Sequence, residues 1–452
     1  MIEVAYANHP RSISRLHDDE LACVLPFLAL KQLARLVRCS RRFNAVVRKE
    51  RSRGLHWRGG ANIAQGPSSS LRHHISSLHL DRTFNRNTMV TRDTLQRLHG
   101  LPRLTSLQLT LYEDAIGHLF AGLSPETAAA ALRAVLPTQL RSFSAIAGSQ
   151  YSPLDSHSAD LVSSFWGALE NITQLTELNI EQYSSSMHVR PELAGLADLR
   201  KLTLGTAGER GEHVAALKQL SQLRELTLHD DSAERLRLLC QPPHALELES
   251  LTLTSLRLKV DEATMHALLH LPTLTALDPS CISDAAWPLL PQLPRLRRLH
   301  LYPTSPLTSE GVTSLCAALS RCSSLEDLTL CYLTFVAPSG VERADAQQKQ
   351  AAWSALLSSV PKLRRLHLDG DMTSLLPLLP FHLPLLEHLL LNGFADGKED
   401  HFARIAHPNL RILELGTINF VSPSDKQLHA CKLSERLPKL ERCRCMRSKR
   451  YA

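Results

Sequence analysis

The chain predicts an α/β solenoid: one short strand per repeat, the strands side by side in a parallel concave sheet, and helices outside. Three observations carry that prediction. A nine-residue string recurs, as LPRLTSLQL at 101–109, LADLRKLTL at 196–204, LSQLRELTL at 220–228, LPRLRRLHL at 293–301 and VPKLRRLHL at 360–368. The composition suits one small unit used many times, with 44% hydrophobic residues but only 5% aromatic ones among 452. Helical stretches separate the strings, such as SPETAAAALRAVL at 124–136 and TSEGVTSLCAALSRC at 308–322.

Counting weaker copies, the first leucine-type position of LxxLxL falls at 75, 104, 140, 175, 199, 223, 248, 274, 296, 325, 363, 386, 410 and 440, which makes fourteen units spaced by 22 to 38 residues. In LxL the two leucines, at period 2, point to one face of a strand. The leucine three residues earlier turns inward from the preceding loop. One such unit cannot bury its leucine face alone, whereas stacked neighbours close a continuous core. Ser124 followed by Pro125 marks a helix start. Three units are stretched, 104–140, 140–175 and 325–363: in the second the segment 148–158 reads as an exposed loop, and in the third residues 344–360 read as an extended outer helix. These strings resemble those of the leucine-rich-repeat family over roughly 72–446, and the resemblance implies a horseshoe with a parallel concave sheet and outer helices.

Net charge is +7, unevenly spread. Residues 1–58 hold 12 Lys and Arg against 5 Asp and Glu, residues 432–452 hold 8 against 2, and the middle holds 31 against 37. An acidic body flanked by basic ends repels a phosphate backbone, so nucleic acid is not the expected partner. The most apolar stretch, Leu375 to Leu391, is broken by three prolines, His382 and Glu387, so no membrane span is expected. The opening MIEVAYANHPRS lacks a signal core, and ten cysteines without a framework of spacing point to a reducing compartment, cytoplasm or nucleus.

Ahead of the repeats, residues 14–58 read as three short amphipathic helices, followed by a linker at 59–71 (GGANIAQGPSSS at its heart). Leu21, Val24, Leu25 and Leu28 mark one helical face, Leu33, Leu36 and Val37 a second, and Phe43, Val46 and Val47 a third. Leu16 with Asp18, Asp19 and Glu20, the leucines of the first two helices, Cys39-Ser40-Arg41-Arg42-Phe43 and Trp57 together resemble the F-box, with His17 where proline is usual and Gln32 where aspartate is usual. The resemblance implies docking onto the Skp-family adaptor of a cullin-RING ubiquitin ligase, through Leu16, Leu21, Leu25, Leu28, Leu33, Leu36 and Phe43, and hence a substrate-recognition subunit. The alternative is a recognition scaffold whose N-terminal helices only cap the solenoid. A basic tail, 447–452, ends the chain.

No P-loop, GxGxxG, HExxH or GxSxG string is present, so no catalytic residue and no enzyme is expected. Cys443 and Cys445 occupy the two core slots of the last LxL, and His79, His300 and His367 stand on non-adjacent repeats, so neither a metal nor a cofactor is expected. The binding surface is expected on the concave face, from the residues beside and between the LxL leucines. Repeats nine to twelve concentrate Arg, Tyr and His there, side chains enriched at interfaces. Arg298, His300 and Tyr302 from one strand, with Arg365 and His367 two rungs along, are the candidate contacts for an acidic or phosphorylated protein segment. Asp327 stands on the rung between and is expected to pair with one of the arginines.

Overall fold

A computed structural model describes residues 55–59, 75–80, 98, 101–111, 122–147, 166–169, 172–182, 191–205, 212–229, 232–242, 246–255, 258–279, 281–302, 307–331, 346–369, 376–392, 407–415 and 437–445. The F-box-like residues Leu16 to Phe43, the loop at 148–158 and the tail at 447–452 lie outside them. The chain divides into two compact units, Met1–Leu223 and Arg224–Ala452.

The first unit carries strands β1 (Leu55–Gly59), β2 (Ile75–Leu80), β3 (Ser106–Leu111), β4 (Ser142–Ala147), β5 (Glu177–Gln182) and β6 (Lys201–Leu204). Each pairs in parallel with the next. The second carries β7 (Glu225–Leu228), β8 (Ser250–Leu253), β9 (Ala276–Pro279), β10 (Arg298–Leu301), β11 (Asp327–Cys331), β12 (Arg365–Asp369), β13 (His388–Asn392), β14 (Ile412–Leu415) and β15 (Arg442–Cys445), again parallel throughout. Every predicted LxxLxL string therefore supplies a strand, and successive strings stack as rungs of parallel sheet.

The register explains the core. Leu299 aligns with Leu328, and Leu366 with both Leu328 and Leu389, so each leucine stacks on its counterpart one rung away. Leu202, Leu204, Leu366 and Leu368 are all at most 1% exposed. The rise into each strand is a tight turn between the two outer leucines of the string: Leu104 N–H donates to Leu101 O at 3.0 Å, Leu296 to Leu293 at 3.2 Å and Leu386 to Leu383 at 3.1 Å. Pro102, Pro294 and Pro384 sit at the second position of these turns, where a φ fixed near −65° is already the required one.

Outside the strands lie α1 (Pro125–Arg133), α2 (Glu212–Lys218), α3 (Ala233–Cys240), α4 (Glu262–Leu268), α5 (Ser309–Arg321), α6 (Ala346–Ser358) and α7 (Leu379–His382). The Ser124 hydroxyl caps α1 by accepting from Thr127 N–H at 3.4 Å, Thr308 caps α5 from Gly311 N–H at 3.0 Å, and α6 occupies the stretch read as an outer helix. Among the described residues no helix is long and apolar enough to cross a membrane.

One boundary needs correction. Leu55–Gly59 form a strand that pairs with β2, so the sheet starts before residue 72 and the predicted helical segment 14–58 overruns it. Trp57 and Arg58 belong to that strand, and the stretch read as a linker runs between two rungs. LHWRG escaped notice because it carries no LxxLxL string; strand pairing alone recruits it.

Candidate functional site

The second unit offers a groove of about 680 Å³ where strands β9 to β13 begin. Thr275, Pro294, Arg295, Arg297, Arg298, Ser324, Glu326, Asp327, Arg364, Arg365 and Glu387 line it, five arginines against three carboxylates. The backbone sets this row. In each rung the carbonyl just before the strand accepts two N–H groups of the next rung: Thr275 O from Arg297 (2.8 Å) and Arg298 (2.9 Å), Arg297 O from Glu326 and Asp327 (both 2.9 Å), Glu326 O from Arg364 (2.8 Å) and Arg365 (2.9 Å). Two side chains per rung are thereby fixed at the groove, one at the strand entrance and one on the open face.

The charges are partly matched. Arg364 meets Glu387 at 3.3 Å and Arg365 meets Asp327 at 3.9 Å. Arg295, Arg297 and Arg298 make no side-chain ion pair among the described residues, which leaves three guanidinium groups available to a ligand. Burial pushes the Asp327 carboxyl up, against the lowering pull of Arg365, Arg298, His388 and His300.

Further along the same face the histidines are engaged. Nδ1 of His300 lies 3.0 Å from Asp278 Oδ1 on β9, and its Nε2 lies 3.1 Å from the sulfur of Cys331 on β11. Burial opposes a charged imidazole there, but the hydrogen bonds to Asp278 and Cys331 and the Asp278 charge outweigh it and raise the His300 pKa to about 10. His367 is different. Burial holds it down, and its neutral ring accepts from the Asn392 amide at 3.0 Å.

The structure thus brings Arg298 and Arg365 into one groove, while His300 and His367 stand deeper on the same face with partners of their own. Tyr302 follows β10 and is half-buried. Asp327 pairs with Arg365, one of the two partners expected for it. Sequence reasoning passed over Arg297 and Arg364, which sit one step ahead of the strand-facing positions, and Arg295 in the turn before them. The signal of Arg297 and Arg364 was the run Arg297, Glu326, Arg364, Glu387, Arg411, Glu441, which alternates in charge rung by rung. It also missed the Asp278, His300 and Cys331 cluster. Among the described residues no group of His, Cys, Asp and Glu could hold a metal ion.

No family model matches the chain, and no curated protein matches its sequence. Some solved structures show a distant similarity. An internalin (inlF) from Listeria monocytogenes matches at 15% identity and a TM-score of 0.36, over 83% of this chain and 81% of that one. The yeast Rad7 and Elc1 complex matches at 17% identity and 0.39, over 94% and 86%. The leucine-rich repeat-containing protein LegL7 from Legionella pneumophila matches at 18% and 0.35, over 70% and 89%. The fold is therefore argued from the strand register and the buried leucines of this chain itself.

Proposed function

We propose that the chain is a non-catalytic recognition subunit that grips an acidic or phosphorylated protein segment in the groove of the second unit. The observation that carries this reading is the cluster of Arg295, Arg297 and Arg298, with no side-chain ion pair among the described residues, in a groove along the starts of strands β9 to β13 where an extended segment can lie. Arginine offers a planar fork that meets carboxylate or phosphate through two hydrogen bonds. The F-box-like pattern from Leu16 to Phe43 adds a second role, docking on the Skp-family adaptor of a cullin-RING ligase, so that cargo held by the groove is presented for ubiquitin transfer.

One observation favours a different role for the head. Because β1 starts at Leu55 and pairs with β2, the stretch read as a linker follows the first strand in sequence instead of separating the head from the sheet, an order that suits a cap. The two readings separate cleanly in one experiment. Removal of residues 1–50 spares β1. On the adaptor reading it abolishes recovery of the purified adaptor and leaves the thermal midpoint unchanged. On the cap reading it lowers the midpoint and has no adaptor binding to remove.

A further inference from the structure

The row Asp278, His300 and Cys331 takes no part in the groove. The parallel register places Asp278 directly across from His300, because Leu277 pairs with Leu299; Cys331 lies two residues beyond the partner of His300, which is Thr329. His300 therefore reaches straight across to one neighbour and diagonally to the other, at 3.0 Å and 3.1 Å. Asp278 fixes the ring through Nδ1–H, and Nε2–H points at the sulfur. A nucleophile, a base in hydrogen-bond contact and a third group orienting the base are the parts of an activated thiol.

We propose that Cys331 is a nucleophilic thiol and a covalent modification site, oxidised to its sulfenic acid by hydrogen peroxide. The thiolate is the reacting form of cysteine, and a cationic neighbour favours it. Asp278, with its carboxylate 3.0 Å from Nδ1, favours the charged ring of His300 and so supplies that cation. In the step, the sulfur attacks one peroxide oxygen; the S–O bond forms as the O–O bond breaks. Sulfur loses two electrons to the peroxide, and the departing hydroxide takes the proton on His300 Nε2 and leaves as water. The products are the sulfenic acid, water and neutral His300.

Access fits a small electrophile. Cys331 is only 6% exposed, while the side chains of His300 and Asp278 beside it are 33% and 40% exposed, so the approach is over the edge of the imidazole. The charged and titratable groups facing His300 are Asp278 on β9, Cys331 and Asp327 on β11 and His367 on β12, with Arg298 on its own strand. Burial pushes the thiols of Cys316 and Cys322 up, the latter to about 11, so both are slow internal references.

The test uses the folded full-length chain and two probes. Iodoacetamide, which forms an S–C bond and expels iodide, is applied at pH 8 and pH 6 with each cysteine followed by peptide mass spectrometry. An ordinary thiol slows by nearly 100-fold, about 80-fold, over that range as its thiolate fraction falls. Cys331 is expected to slow by less than about threefold, to outpace Cys322 at both values, and to be the main peptide trapped by dimedone after one equivalent of hydrogen peroxide. Asp278→Asn and His300→Gln are each expected to slow its reaction at pH 6 by at least about tenfold. Should either variant fold poorly, the wild-type pH profile still decides. A Cys331 that labels only after denaturation, or that slows with pH like an ordinary thiol, overturns the proposal.

Discussion

Single side chains on this sheet carry opposite pH signatures. His407 is 2% exposed, occupies a leucine slot of its repeat, donates Nε2–H to Leu383 O at 2.8 Å and accepts from Asn409 N–H at 3.2 Å on Nδ1. Only the neutral ring satisfies both, and burial holds its pKa below the ordinary 6.5. Its contribution is complete above that value and fades as pH falls through the lowered one. His300, raised from 6.5 to about 10, does the reverse: its contribution is complete below 6.5 and is lost as pH rises through 10. In urea unfolding followed against pH, His407→Gln should flatten the acid limb and His300→Gln the alkaline limb. An unchanged profile in either variant contradicts the assigned protonation. Beneath His300, Leu299 is 2% exposed, and Leu299→Ala should cost about 2–5 kcal/mol in the same assay. At this scale the sequence showed which residues are buried, because leucine spacing decides that. Contacts such as Cys331 with His300 were hidden, since they depend on register between strands 31 residues apart in sequence.

Whole elements were legible wherever a local signal marked them. The strand of each repeat follows from LxL, the turn before it from Leu-Pro-x-Leu, and α1 and α5 from Ser124 and Thr308 as caps. Helix α4 shows the size of such a signal. Asp261 Oδ1 accepts from Thr264 N–H at 2.8 Å, and hydrogen bonding from the Thr264 side chain, then from its backbone N–H, holds the carboxyl below the ordinary carboxylate value against the opposing pull of burial. Asp261→Ala should lower stability by about 1 kcal/mol, and Asp261→Asn by much less, because the amide oxygen keeps the cap. Equal losses in the two variants would count against capping as the cause. Strand β1 was illegible for the opposite reason: its pairing with β2 is a non-local event with no leucine string to announce it. The groove arginines fall between these cases. The alternation of Arg297 and Arg364 with glutamates is written in the sequence, yet only the fold gathers them with Arg298 and Arg365 through shared carbonyl acceptors, and with Arg295 along one groove.

For the whole molecule, the proposed function divides the labour: the segment from Leu16 to Phe43 would engage an adaptor, and the second unit would hold cargo. The groove residues lie within 275–387, in the second unit, far in sequence from the F-box-like segment. The charge reversal Arg297→Glu with Arg298→Glu tests this, since both residues line the groove without side-chain ion pairs among the described residues and the buried leucines of the strand are left unchanged. Quantitative affinity purification of the full-length chain, wild type beside this double variant, measures adaptor and cargo together. The account predicts equal recovery of the Skp-family adaptor and loss of at least about 90% of the cargo, a tenfold drop that corresponds to roughly 1.4 kcal/mol of binding. Recovery of the same cargo at wild-type strength by the double variant would contradict it.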